Sequence, residues 1–306
     1  MKATRDSFGE ELAALGERDP SIVVLDADLS KSTKTDKFAK KFPERFFEMG
    51  IAEANMIGTA AGLALSGKIP FAASFGAFIT GRYDQIRMSV SYNRANVKLV
   101  GTHSGVAIGE DGHSQMGLED VALLRSLPNF SIYQPADDVE TRAVIQYAAA
   151  EFGPCYIRLT RQKLPDLFNA ATYKFVPGKW ATLHEGSDIA LIGTGALTSS
   201  LMEANKKMGN KFTVINACSL KPVDEKLILH LAENYDLIVT AEDHYSIGGL
   251  GSAVAEVMSL APGKASLHRI GLETFGESGG PEEVFAHFKL DAAGIVERLE
   301  RLQDGI

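Results

Sequence analysis

Short apolar runs alternate along this chain with longer stretches in which apolar residues recur at helical spacing. Residues 22–26, 69–74, 97–101, 131–134 and 155–159 are runs of strand length bounded by charged or turn-forming residues. Continuous apolar character of this kind is expected of strands covered on both faces. Between them, residues 7–18, 52–65 and 139–152 place apolar side chains three and four positions apart and read as helices. The order predicts an α/β domain with a mostly parallel sheet. After Pro165 the pattern loosens through residues 166–184, where Pro177, Gly178 and the only tryptophan, Trp180, interrupt it. We read this stretch as a linker. From residue 185 the alternation resumes, with strands at 188–192, 212–216, 237–241 and 265–270 and helices at 197–208, 225–234 and 248–258. The expectation is two α/β domains, 1–165 and 185–306, each built on a mostly parallel sheet.

One stretch fits neither period. The run from Thr102 to Asp120, THSGVAIGEDGHSQMGLED, follows a buried strand and holds too many glycines for a regular helix. It is expected to be a loop in the position where binding and catalytic groups concentrate. In the second half, GGLG opens the helix at 248–258 but lacks the GxGxxG spacing after a first strand. Close packing is the better reading there than a nucleotide site.

Composition narrows the function classes. The 306 residues are 45% hydrophobic and 23% charged, enough for two cores, and the net charge of −8 gives no electrostatic reason to expect nucleic acid. Lys37, Lys40 and Lys41 read as a solvated helix end. Cys155 and Cys218 lie in strand-like runs without CxxC spacing, which suggests neither a zinc site nor a disulfide framework and fits a reducing compartment. The start MKATRDSFGEELA lacks a signal-type apolar core, and no apolar run is long enough to span a bilayer. A cytoplasmic protein without membrane contact is expected.

Residue types then supply candidates. Glu53 heads a helix, either as a first-turn charge favoured by the helix dipole or as a buried acid raised by desolvation. Phe71, Phe75 and Phe78 crowd a glycine-broken stretch, as core or as the wall of a pocket for a planar ring. Arg5, Arg158 and Arg161 lie at strand or loop ends, as surface ion pairs or as parts of a phosphate clamp. His103 is a candidate proton carrier near neutral pH.

The ordered segments GIAEANMIGTAAGLALSGKIPFAASFGAFI, GTHSGVAIGEDGHSQMGLEDVALLRSLPNFSIYQPAD and YIRLTRQKLP resemble transketolases. IALIGTG, SLKPVD, TAEDHYSIGGLG and HRIG are similar to that family's C-terminal domain, so the resemblance covers essentially the whole chain. It implies a thiamine-diphosphate pyrimidine-binding fold followed by a transketolase C-terminal domain. It also implies an absent part, because the family holds the cofactor's diphosphate and a divalent metal through a GDG motif and a downstream asparagine. The nearest match here, Glu110-Asp111-Gly112, is followed by no such asparagine in residues 137–142. The resemblance therefore implies one chain of a split transketolase, inactive alone. A separate N-terminal subunit would bring the diphosphate site and its magnesium or calcium, with two copies of each chain in a heterotetramer.

By the same resemblance, Glu53 pairs with the cofactor's aminopyrimidine and promotes its imino form, while Phe75 and Phe78 wall the ring. A third aromatic of some members falls at Gly81. Asp28 matches an aspartate near the thiazolium and Ser32 a phosphate ligand. His103 and Asp111 match contacts to sugar hydroxyls, with His103 near the reacting oxygens. Arg5 and Arg161 match arginines that pair with the sugar phosphate. Gln115 stands where several members have histidine, and His113 has no counterpart. The implied reaction moves a two-carbon ketol unit from a ketose phosphate to an aldose. The beta subunit of a 2-oxo-acid dehydrogenase and a deoxyxylulose-phosphate synthase share parts of the pattern. The RQKLP arginine and the GEDG loop favour a phosphorylated sugar over the first, and the second normally carries both halves on one chain. A partner-binding scaffold would not need Glu53, Phe78 and His103 intact.

Overall fold

Seven strands form the first sheet of the structure, a computed structural model that describes residues 1–303. Their order is Ser219–Lys221, Ser131–Tyr133, Cys155–Arg158, Lys98–Thr102, Ile69–Phe75, Ile22–Asp26 and Phe46–Glu48. All are parallel except Ser219–Lys221, which pairs antiparallel with Ser131–Tyr133. Alternate residues of each strand serve two cores. Val23, Leu25, Ala72 and Leu99 pack with Met56, Ile57, Ala60 and Ala61 of the helix Glu53–Leu65. Ile22, Val24, Phe71 and Val100 pack on the opposite face with Phe8 and Leu12 of the helix Thr4–Arg18 and Val144 and Ile145 of the helix Asp138–Ala150. Burial on both faces is why these strands read as unbroken apolar runs. It also assigns Phe71 to the core, where it is fully buried.

The second sheet is ordered Ser266–Leu272, Leu237–Tyr245, Ile189–Gly193, Thr213–Asn216 and Ala181–His184, parallel but for the last. The stretch read as linker, 166–184, thus ends inside the second sheet. Ala181–His184 is a partly exposed edge strand, and its mixed polarity hides it from periodicity. The rest of that stretch is pinned rather than loose: Leu167 and Phe168 donate backbone N–H bonds to Asp137 at 2.8 and 2.9 Å, and Trp180 Nε1 donates to Ser219 O at 2.8 Å. Ser219–Lys221 lies within the second half of the chain yet completes the first sheet, so the two domains share a sheet edge. The lysines read as a solvated helix end lie on the short helix Asp36–Lys41, with Lys40 and Lys41 in its last turn, whereas sequence periodicity missed the short helix Ser30–Thr33 and the helices Pro281–His287 and Ala292–Gln303.

GGLG has a structural role. The buried carboxylate of Glu242 accepts from the backbone N–H groups of Leu250 and Gly251 at 2.7 and 2.9 Å, occupying the helix start that a phosphate would need. Among the described residues no helix is long and apolar enough to cross a membrane, and no group of three or more His, Cys, Asp or Glu is placed to hold a metal ion.

Candidate active site

Parallel strands deliver their following loops to one edge of the sheet, and the sequence candidates gather there. Ile22–Asp26 leads to Asp28 and Ser32, Phe46–Glu48 to Glu53, Ile69–Phe75 to Phe75 and Phe78, Lys98–Thr102 to His103, Asp111 and Gln115, and Cys155–Arg158 to Arg161. Arg5 arrives from the chain's start. Lys2 and Ala3 pair antiparallel with Leu164 and Lys163, and this small ribbon sets the beginning of the helix Thr4–Arg18 beside the segment that carries Arg161.

Glu53 occupies the first turn of its helix and is 6% exposed. Among the described residues no hydrogen bond reaches its carboxylate, and its ion pair is a 4.0 Å approach by the half-exposed Arg82. A buried acid at a helix start with vacant lone pairs is poised for an external donor. Phe75 and Phe78 stack with centroids 5.4 Å apart and planes 14° from parallel. Phe75 also lies 3.9 Å from the His103 ring. Together they form an apolar wall that continues into an imidazole.

The turn bearing Asp28 and Ser32 is built around Asp26. This buried carboxylate accepts from Leu29 N at 2.7 Å, Thr33 Oγ1 at 2.6 Å and Thr35 Oγ1 at 2.8 Å, while burial pushes its pKa up to about 6. Asp28 itself is exposed, at φ 61°, with its N–H bound to Glu48 Oε1 at 2.7 Å.

His103 is buried, and Arg5 Nη1 lies 2.6 Å from its Nε2. Guanidinium can only donate, so Nε2 accepts and the ring proton is on Nδ1. That proton faces Thr102 Oγ1 at 2.9 Å, and the Thr102 hydroxyl in turn donates to Ser74 O at 3.3 Å. Burial first, then the charges of Arg5, Arg161 and Lys34, push the His103 pKa down to about 3. The imidazole is neutral here and acts through hydrogen bonds. Burial also lowers the Arg5 pKa, with Asp6 opposing and Arg161 adding to the effect. Arg5 Nη1 additionally donates to Ser32 O at 3.1 Å, whereas Arg5 Nε is buried and has no partner among the described residues.

Arg161 Nη1 donates to Ile108 O at 3.0 Å and lies 3.5 and 3.7 Å from the exposed carboxylates of Glu110 and Asp111. Gln115 is half-buried in a short turn, His113–Gln115, of the same loop. Three cations, Arg5, Arg161 and Lys34, therefore converge on one neutral imidazole beside an aromatic wall. Sequence reasoning missed Lys34 and Arg82. Lys34 sits at φ 72° and pairs with Asp6 at 3.5 Å, a placement that only the fold of residues 30–36 against the first helix reveals.

A cavity of about 740 Å³ elsewhere on the molecule, at Leu164, Met202 and Phe285, is lined by none of the candidate residues. The candidates line an open sheet edge instead.

The chain matches the family described as transketolase, pyrimidine binding domain, over residues 1–166, and that described as transketolase, C-terminal domain, over residues 178–295. It is 42% identical over 304 residues to a putative transketolase C-terminal section of Methanocaldococcus jannaschii, covering 97% of this chain and 95% of that protein. The transketolase of Rattus norvegicus is 37% identical across 98% of this chain, and the chain spans about half, 49%, of that relative. A solved split-gene transketolase, described as an inactive β4 tetramer, superposes with a TM-score of 0.90 at 43% identity and covers 98% of both chains.

Proposed function

This chain belongs to the transketolase family as the C-terminal part of a split, thiamine-dependent member, and on that premise we propose that it works as one subunit of a two-subunit enzyme. The separate N-terminal subunit would bring the diphosphate site and its magnesium or calcium, two copies of each chain would assemble, and the complex would transfer a two-carbon ketol unit between sugar phosphates. The observation that carries this reading is the half-built edge: a buried Glu53 that accepts no hydrogen bond among the described residues, beside the Phe75 and Phe78 wall and the Arg5, Arg161 and Lys34 cluster.

These residues fit thiamine diphosphate. Bound, the cofactor supplies the electron sink that makes cleavage of a ketose carbon–carbon bond possible. Glu53 would accept a hydrogen bond from the aminopyrimidine, with its neighbourhood kept dry by Phe75 and Phe78. Asp28 and Ser32 stand on the rigid turn that Asp26 braces. Arg5 and Arg161 would hold the sugar's phosphate, a charge-assisted contact that fixes the position of the reacting carbons. Burial first and then these cations hold His103 neutral, and a bound phosphate would offset only the second of the two causes, leaving a neutral imidazole to hydrogen-bond a substrate oxygen. Asp111 and Gln115 would contact hydroxyl or phosphate oxygens from the loop above.

The test is Glu53→Ala in the assembled complex. Turnover is expected to fall by about 100-fold or more while the melting temperature stays near the parent value. Near-normal turnover would remove Glu53 from its role and the reading with it.

A further inference from the structure

We propose that the second domain holds the substrate-contacting loop in place, with Ser278 and Phe275 as positioning residues for Asp111 and Gln115. The contribution to sugar recognition rests on the transketolase reading; the grip itself rests on geometry. Between the strand that ends at Thr102 and the helix that begins at Asp120, the loop contains two short turns, Val106–Asp111 and His113–Gln115, and is closed on itself at its base by the Ser104–Gly117 bridge. It is also touched by the second domain at both ends.

At the base, Tyr245 N donates to Leu118 O at 2.8 Å, and Arg158 Nη2 donates to both Gly117 O and Asp243 O, at 3.0 and 3.1 Å. At the tip, Ser278 Oγ donates to Glu110 O at 2.7 Å. The Phe275 ring lies 4.2 Å from the His113 ring at 57°. Phe275 remains 69% exposed, with the His113 ring as its aromatic neighbour among the described residues.

Two glycines record how close the approach is. Gly105 and Gly109 adopt φ of 79° and 75°, a region that other residues rarely enter. A Cβ on Gly105 would lie 1.8 Å from Asp243 Oδ2, and one on Gly109 would lie 2.9 Å from the Pro281 ring. Gly105 and Gly109 are therefore spaces left for the second domain, whereas Gly117 packs on Gly76 and Ala77 of the first. Asp111 follows Glu110 directly, so a displaced tip moves both the Asp111 carboxylate and its pairing with Arg161. His113 belongs to the grip.

The experiment compares amide hydrogen exchange across residues 106–116 in the full chain and its Phe275→Ala, Ser278→Ala and double variants. Both side chains are exposed, so the fold is expected to persist. The double variant should exchange about tenfold faster in this stretch, with the strand Lys98–Thr102 unchanged. In complex with the N-terminal subunit, KM for sugar phosphates should rise about threefold to tenfold while kcat changes less than about twofold. Unchanged loop exchange overturns the proposal, as does faster exchange with an unaltered KM. A parent complex without transferase activity sinks the functional reading alone, and the exchange result still decides whether the second domain holds the loop.

Discussion

Arg158 and Arg161 stand in one short segment and live in opposite environments. Arg158 is 1% exposed and almost saturated: Nε reaches both Asp120 oxygens at 2.9 and 3.1 Å, Nη1 reaches Asp243 Oδ1 at 2.6 Å, and Nη2 binds two carbonyls. Tyr156 donates a further bond to Asp120 at 2.7 Å. Burial works against the Arg158 charge, but Asp120 and Asp243 more than offset it and raise its pKa. Arg161 is 37% exposed in its side chain, and its carboxylate neighbours are distant and solvated. A buried charge with its donors filled braces the fold across two domains, whereas a cation with loose partners can exchange them for a ligand's anion. The sign of the charge is the same; its satisfaction separates structure from function.

Removing a partner from the saturated cluster tests the first half of that contrast. Asp120→Ala leaves Arg158 buried and underpaired and should cost about 3–5 kcal/mol in denaturant unfolding. A loss below about 1 kcal/mol would mean that the network braces nothing.

Arg161→Gln probes the second half. We expect stability within about 0.5 kcal/mol of the parent. KM for a phosphorylated ketose in the assembled complex should rise about tenfold to a hundredfold, while an unphosphorylated analogue is indifferent. Equal losses for both sugars would argue against a phosphate contact.

His103 sharpens the comparison by its response to pH. Its folded pKa, about 3, lies below the ordinary value of 6.5, so the unfolded chain binds the proton more readily. Its contribution to stability is complete above about pH 6.5 and is lost as pH falls toward 3, at up to about 1.4 kcal/mol per pH unit. His103→Gln should flatten that acid limb in thermal melts of the chain; an unchanged slope would show that this imidazole does not titrate as its burial and its cationic surroundings require. The smallest effect is expected at Gln115→His, a half-buried loop position, where KM should shift by about threefold or less.

Much of the site was legible because it lies where parallel strands end, and those strands advertise themselves as apolar runs. Glu53 at a helix start, the Phe75 and Phe78 pair and the glycine-rich run to Asp120 all carry local signals that the structure places at one edge. Lys34, Arg82 and Asp243 carry none. Lys34 owes its place to a left-handed backbone turn and to the packing of its own segment on the first helix, where a Cβ on Gly9 would come within 2.5 Å of it. The edge strands Phe46–Glu48, Ala181–His184 and Ser219–Lys221 escaped for a related reason: short strands have too few residues to display a period.

Sequence by itself determined the buried parallel strands of both sheets, the helices with a clear apolar stripe, and the loops on which polar chemistry falls, because burial on two faces leaves an unbroken apolar run and burial on one face leaves a helical period. It left open which arginine is locked and which is available, how Arg5 comes beside Arg161, and why the long loop must be rich in glycine. Those were decided by tertiary structure alone, since pairing of a charge and crowding of a backbone depend on atoms far along the chain: Asp243 for Arg158, the ribbon at Leu164 for Arg5, and Pro281 for Gly109.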